Sequence, residues 1–514
     1  LKLCVSFIFI FFNQIYSYSI SFTLVKTILT DTNSTLIIQV QIYDGTGAAP
    51  YVGSVRIKND KIIAVGKIHA FKNEQIINGN GWALAPGFID AHSHHYGLLK
   101  NDPSSIATAN QGITTIVIGQ DGESYLIDTI VEQLKFNPIS VNIATYTGHS
   151  TLREMVMGEH NLERPATQEE INKMKSLLIL ELKKGSLGLS TGLEYESAFY
   201  SSKDEVLQLA SVLKKEQGRY ISHIRSEDVN LNDALDEIID IGNKAQIPVQ
   251  ISHIKIAKKE NWHTANQVLK KLDSARKKGI QITADVYPYN FWNSTLRVLF
   301  PDKQFNSLAS ATFAVNQLFD AQQSYLVKFK PEPIYENKTI AAIAVLRNES
   351  IPQTLINLIE MASNYKKLNP NYTGSIEALA GKSMSDEDVA NFIKWKNSVI
   401  CSDGNGGGHP RGYGAFTRIL GKYVREQKII SLAAAIRKMT GQTAQNLGIK
   451  NRGIIASNYY ADLVLFDPKN VHDMATINNS HAISTGIKMV WVNGKIVYKY
   501  NEKSTNFTGI FLKK

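Results

Sequence analysis

Cysteine is nearly absent from this chain. Among 514 residues there are two, Cys4 and Cys401, so a disulfide framework is excluded and the fold must be held by its core. No run of five or more basic residues occurs, although the formal net charge is +10. The lysines come as scattered pairs (Lys183–Lys184, Lys214–Lys215, Lys258–Lys259, Lys277–Lys278) near the ends of amphipathic segments. There they form a solvated face and complement a helix C-terminus, which argues against nucleic acid as a partner. A membrane-spanning run is missing too. The apolar block Val5–Phe12 in "LKLCVSFIFIFFNQIYSYS" is too short for a span. With a lysine before it and the small residues Ser17 and Ser19 after it, residues 1–19 have the layout of a secretory signal. Cys4 precedes the block, where a lipid-attachment cysteine would follow it. The expectation is an exported protein, periplasmic or extracellular, without stable membrane insertion once the signal is removed.

What is present is an ordinary globular composition, 43% apolar and 20% charged, which excludes disorder. Residues 20–85 are strand-rich: "TLIIQVQIYDG" and "VGSVRIKNDKIIAVGK" alternate in polarity, with turn signals at Asp44–Gly45 and Asn59–Asp60. The pattern returns over residues 451–514 in "ADLVLFDP" and "GIKMVWVNGKIVYKY", with an Asn493–Gly494 hairpin signal. The two ends are expected to pair into one small β-sandwich. Residues 86–450 alternate apolar strands with amphipathic helices. The strands are "APGFIDAHSH", "GITTIVIG", "ISVNIATYTG", "GSLGLSTGL", "RYISHIR", "PVQISHIK", "QITADVYPY" and "NSVICSD". Helical patterns lie between several of them, one opening with the capping-box spacing Thr167 to Glu170. Eight such strands with intervening helices indicate an α/β (β/α)₈ TIM-type barrel. Residues about 300–395 show helical patterns without a matching strand and are expected to be an insertion after strand seven that covers the barrel mouth.

In such barrels the chemistry sits at the C-terminal strand ends. "GFIDAHSHHYG" puts His92 and His94 on one face of an extended segment, with His95 pointing away. A His-x-His pair also occurs at a solvated strand end, so the other strands must supply the rest. Strand two reaches Asp121, strand three His149 and strand four Glu194. Strands five and six hold His223 and His253, strand seven presents Asp285 and Tyr287, and strand eight stops at Asp403. Five histidines at one end of one barrel, with carboxylates, suit zinc or a similar divalent ion.

"GFIDAHSHH", "GLSTGLEY", "SHIRSE", "ISHIKI", "DVYPY", "SDG…HPRGYGAFTRILGKYVRE" and "NRGIIASNYYADLVLFDP" resemble the amidohydrolase superfamily. More closely they resemble its N-acyl-D-amino-acid deacylases, the D-aminoacylases, over nearly the whole chain after the signal. The resemblance implies zinc-dependent amide hydrolysis with one or two ions, and a metal shell of His92, His94, His223, His253 and Asp403. Those deacylases usually place a metal-binding cysteine in a Gly-x-Cys-Gly turn after strand two. Here the turn is "GQDG", with Asp121 in that position. Glu194 or Asp121 would replace the thiolate, with Glu194 slightly favoured. Asp121 also fits an ordinary turn residue before Gly122, and Cys401 a small buried strand residue.

The mechanism this implies is attack by a metal-activated water on the amide carbonyl, with Asp403 as proton carrier. A substrate carboxylate needs a fixed cation. Lys255, on the face of strand six that carries His253, is the first candidate and Arg411 the second, with Tyr287 as a hydroxyl donor. His149 and Arg153 in "GHSTLR" are further candidates for substrate contact, though Arg153 and Arg411 equally fit ion pairs that brace loops. "NFWNST" is a residue longer than the usual family version, which bears on Ser294. Two rivals keep the same superfamily: a D-dipeptidase, and a cyclic-amide hydrolase, whose usual bridging lysine is missing from "GLSTGLEY". A third is a non-enzymatic exported metal-binding protein, against which Asp403 speaks. The partner expected is a small molecule; the sequence sets no oligomeric state.

Overall fold

The computed structural model describes residues 33–99, 101–502 and 506–514. The expected signal, 1–19, lies outside the described residues. Five strands open the described residues: β1 Ser34–Ile42, β2 Tyr51–Lys58, β3 Lys61–Gly66, β4 Gln75–Asn78 and β5 Ala83–Pro86. The turn expected at Asn59–Asp60 joins β2 to β3, with Asn59 at φ 55° in the left-handed region that asparagine tolerates.

The barrel follows with β6 Phe88–Asp90, β7 Ile113–Ile118, β8 Asn142–Thr145, β9 Thr147–Gly148, β10 Gly188–Gly192, β11 Arg219–His223, β12 Val249–Ile251 and β13 Ile282–Val286. All pair in parallel, and β7, "ITTIVI", is buried at every position. Burial on both faces is why these segments read as near-continuous apolar runs. The helix Gln168–Lys184 starts where its sequence says it should, with Thr167 and Glu170 forming the reciprocal capping box.

After β13 the chain leaves the barrel for β14 Phe291–Ser294, β15 Tyr325–Phe329, β16 Lys338–Thr339 and β17 Glu377–Lys382. It returns as β18 Ser398–Ile400, which pairs with β13. The insertion corrects the helical reading of 300–395. It holds a four-stranded sheet, order β14-β17-β15-β16, together with helices such as Ile351–Leu368. These strands are short and partly exposed, so their alternation was weak beside the helical runs.

The barrel strands form a three-stranded arc, β6-β7-β8, and a six-stranded arc, β18-β13-β12-β11-β10-β9. Tyr146 alone separates β8 from β9, which makes them pieces of one strand and joins the arcs there. At the other seam Ser93 bridges Gly404 in parallel. Eight strand positions result, and the barrel expected from the sequence is present.

β19 Leu463–Phe466, β20 Ile487–Val492 and β21 Lys495–Lys499 complete the second domain. They continue the sheet of the N-terminal strands in the order β21-β20-β19-β5-β1-β2-β3, with β4 also on β1. The hairpin between β20 and β21 turns on Asn493 (φ 49°) and Gly494 (φ 77°), as the Asn-Gly pair requires. Side chains alternate along β19. Leu463 and Leu465 join a small core with Ile37, Val55, Ile62 and Trp491, while Val464 and Phe466 join the main core that includes the barrel. Strands distant in the sheet order share that small core, so the sheet curls over itself. No helix among the described residues is long and apolar enough to cross a membrane.

Candidate active site

The barrel seam builds the first half of the site. Asp403 N–H donates to His92 O at 2.9 Å, and His94 N–H donates to Gly404 O at 2.9 Å. This ladder, one step beyond β6 and β18, brings His92, His94 and Asp403 together. The Nε2 atoms of the two histidines are 3.2 Å apart, and Asp403 Oδ1 lies 3.6 Å and 3.4 Å from them. His95 faces away, as strand periodicity requires. Its ring nitrogens meet Ser93 Oγ at 2.8 Å and Gly412 O at 2.9 Å, and burial pushes its pKa down to about 4. It is a core histidine.

Asp121 joins this half to a second one. Its Oδ2 lies 3.4 Å from Nε2 of both His92 and His94, and its Oδ1 lies 3.3 Å from His253 Nε2. His253 Nε2 in turn lies 3.1 Å from His223 Nδ1. Asp121 therefore belongs to two donor sets, one with His92, His94 and Asp403, the other with His223 and His253. Asp121, His253 and Asp403 all have positive φ, at 55°, 32° and 47°. Three non-glycine residues in that region at one site is strain of the sort that accumulates where side chains must be aimed.

These donors fit a divalent cation. Asp121 Oδ1 and His92 Nδ1 are buried with no hydrogen-bond partner, and imidazole nitrogens face one another across hydrogen-bond distances. Burial opposes charge on the carboxylates, but the imidazoles drive Asp121 far below the ordinary range, and Arg411 with His94 does the same to Asp403. Anionic oxygens among converging imidazoles, with no thiol, are a donor set for a borderline ion.

Beside the imidazoles stand more carboxylates, of which Glu227 was not placed at the site by the sequence reading. Glu194 Oε2 is 2.7 Å from His223 Nε2, on the side of the ring away from Asp121. Both carboxylates expected to replace the thiolate therefore converge on imidazoles: Glu194 shares a donor set with His223 and Glu227, and Asp121 stands between the two imidazole pairs. Glu227 Oε1 is 3.0 Å from His253 Nδ1. Asp285 Oδ1 lies 3.8 Å from His92 Nδ1 and accepts from His253 N–H at 2.7 Å. Such outer carboxylates fix ring orientation and raise ligand basicity. "SHIRSE" contained the signal for Glu227, four residues past His223.

The cavity above these groups has a volume of about 1150 Å³. His94, Asp121, Glu194, His223, His253, Lys255, Ser294, Asp403 and Arg411 face it, and the insertion walls it with Trp292, Leu318 and Tyr372. Residues of the insertion thus form part of the cavity wall. Arg411 Nη1 pairs with Asp403 Oδ2 at 2.6 Å, while its buried Nε has no hydrogen-bond partner. Tyr287 is buried under Arg411, its ring centroid 4.9 Å from the guanidinium carbon, and its hydroxyl also lacks a partner. Lys255 is on the expected face but is already paired: both Glu227 oxygens lie within 2.7 Å of Nζ.

His149 and Arg153 do not reach this cavity, which corrects the expectation of substrate contact. Strand three ends at Gly148, and His149 begins the helix His149–Met157. One turn apart, the two side chains point to the same side and both bind the buried Glu205. Arg153 also caps Leu162 O and Arg164 O. It braces a loop.

A family profile described as "Amidohydrolase family" matches residues 75–355 and 400–498. An N-acyl-D-aspartate deacylase of Alcaligenes xylosoxydans xylosoxydans is 31% identical over 485 residues, covering 89% of this chain and 90% of the relative. The crystal structure of a D-aminoacylase, 29% identical, superposes with a TM-score of 0.82, over 93% of this chain and 99% of that one. An N-acyl-D-glutamate deacylase from Bordetella bronchiseptica, complexed with zinc and a phosphonate mimic of the tetrahedral intermediate, is 26% identical. It has a TM-score of 0.83, over 94% and 100% of the two chains. With that profile spanning most of its length, around a barrel whose strand ends converge on four imidazoles and the carboxylates of Asp121 and Asp403, the chain belongs to the amidohydrolase family.

Proposed function

We propose that the protein is a metal-dependent hydrolase that cleaves the linear amide of N-acyl-D-amino acids, or of short D-containing peptides, with zinc as the ion. One observation carries the reading: Asp121 stands between two imidazole pairs while Asp403 and Arg411 flank one of them at the floor of a cavity. The relatives support it: the similar D-aminoacylase is described with a binuclear metal center, and the deacylase from Bordetella bronchiseptica with zinc. His92, His94, Asp121 and Asp403 would hold one ion, and His223, His253 and Asp121 another.

A bound divalent ion supplies acidity to a water and polarises an amide carbonyl. The chain's own groups do the rest. Asp403 stays ionised under the guanidinium of Arg411, so Oδ1 can take a proton from the attacking water and return it to the departing amine nitrogen. The carbon–oxygen bond forms, the carbon–nitrogen bond breaks, and a carboxylate and a free amine leave. Arg411, with an unpartnered Nε, offers a donor for the substrate's α-carboxylate; Tyr287 lies under its guanidinium with an unpartnered hydroxyl, and Lys255, paired with Glu227, and Ser294 line the same cavity. Metal centre, carboxylate anchor and side-chain wall are three points around one carbon, which discriminates hands.

The cavity is large for an acetylated amino acid, and this favours a D-dipeptide as the second reading. The deciding experiment is hydrolysis of paired N-acetyl-D- and N-acetyl-L-amino acids, with metal content measured on the same preparation. D-selective cleavage that tracks zinc supports the proposal. A preference for L-substrates, or faster opening of cyclic ureides, overturns the deacylase reading and leaves the barrel untouched.

A further inference from the structure

Glu227 is buried one turn past the end of β11, and it touches groups from two strands. Its Oε1 lies 3.0 Å from His253 Nδ1, and its Oε2 lies 3.7 Å from His223 Nε2. Both oxygens accept from Lys255 Nζ, at 2.7 and 2.6 Å. Lys255 Nζ itself is 2.7 Å from His253 Nδ1. Its backbone is pinned as well, Glu227 O accepting from Ala257 N–H at 2.9 Å.

One carboxylate is thus divided between a histidine that faces Asp121 and a lysine that faces the cavity. We propose that Glu227 is a positioning residue that couples metal affinity at the His223–His253 position to the charge offered to a substrate carboxylate. The share of its charge that falls on His253 makes that ring a stronger ligand. The share that falls on Lys255 cancels the ammonium and weakens its pull on an incoming anion. Strengthening one contact weakens the other, and coupling of this kind is reciprocal. This inference rests on the metal-hydrolase reading above but concerns only the chain's own residues.

The test has a readout independent of turnover. Zinc affinity is measured by competition with a chromophoric chelator for the wild type, Glu227→Gln and Lys255→Met. KM is measured for an N-acetyl-D-amino acid and for its α-carboxamide. Glu227→Gln is expected to weaken zinc at one position by about 10–100-fold and to favour the acid over the carboxamide by about fivefold or more. Lys255→Met is expected to do the reverse: zinc tightens by about fivefold or more while the acid loses its advantage. Unchanged zinc affinity in Glu227→Gln overturns the proposal, and so does weakened zinc with an unaltered acid-to-carboxamide ratio. If Glu227→Gln does not fold, Lys255→Met decides alone, because zinc affinity equal to or weaker than wild type in that variant excludes the coupling. If the wild type cleaves no N-acyl-D-amino acid, the functional reading fails while the two zinc measurements still judge Glu227.

Discussion

Arg411 Nη1 lies 2.6 Å from Asp403 Oδ2, while Asp403 Oδ1 lies 3.6 Å and 3.4 Å from Nε2 of His92 and His94. Both side chains are largely buried at the edge of the cavity. Removing Arg411 therefore strips the counter-charge from Asp403 as well as a donor from the cavity. Arg411→Met should lower kcat/KM by about 10²-fold or more and cost about 3–5 kcal/mol of stability, the usual penalty for orphaning a buried charge. Steady-state kinetics and urea unfolding check both. Near-wild-type kcat/KM would remove Arg411 from the machinery.

The imidazoles on β11 and β12 carry a second expectation. His223→Ala and His253→Ala should each lose bound metal and drop turnover by well over ~10²-fold. Elemental analysis of the purified variants provides the check, and a metal-free His253→Ala protein with full activity would end the metal hypothesis.

The ranking of the two carboxylates is the third. Asp121 faces both imidazole pairs, whereas Glu194 sits behind one ring. Asp121→Asn should therefore release at least one metal, and Glu194→Gln should weaken metal by a smaller step, about 10-fold, by loosening His223. The opposite order in metal stoichiometry would return the bridge to strand four.

A fourth expectation concerns pH. Glu205 is buried; burial raises its pKa, but His149 and Arg153 outweigh this and hold it at about 2, against 4.5 unperturbed. A carboxyl depressed on folding contributes stability that is present above about pH 4.5 and lost as pH falls towards 2. Glu205→Gln should thus be destabilised relative to wild type by on the order of 3 kcal/mol at pH 7. The gap should close between pH 5 and 2, and at pH 7 the variant should bind as much zinc as the wild type. A gap independent of pH would show that the charge of Glu205 has no part in it.

The barrel was legible because its strands are buried on both faces and its histidines fall at strand ends, so one periodicity reported both fold and site. His92 and His94 followed from the period of two. The face of Lys255 followed from the same rule, but its partner did not: "SHIRSE" places Glu227 four residues past His223, yet beyond the strand end no periodicity tells which neighbour its carboxylate meets. His149 and Arg153 were misplaced for a related reason. The break at Tyr146 and the helix that begins at His149 turn them away from the mouth, and their four-residue spacing was the available sign that they share a helix face. The strands of the insertion were hidden by short length and exposed positions, as in β16, Lys338–Thr339.

The sheet shared by both chain ends has a temporal consequence. β5 is flanked by β1 on one side and β19 on the other, and β19 is made long after β5. At about 5–20 residues per second, the interval is roughly 20–75 s. Throughout it, the β19-facing edge of β5 is an open template in a nascent chain. The newborn second domain therefore waits on the ribosome for its own closing strands, and any factor that shields hydrogen-bonding edges during synthesis would raise the yield of this protein more than that of a barrel without such a clasp.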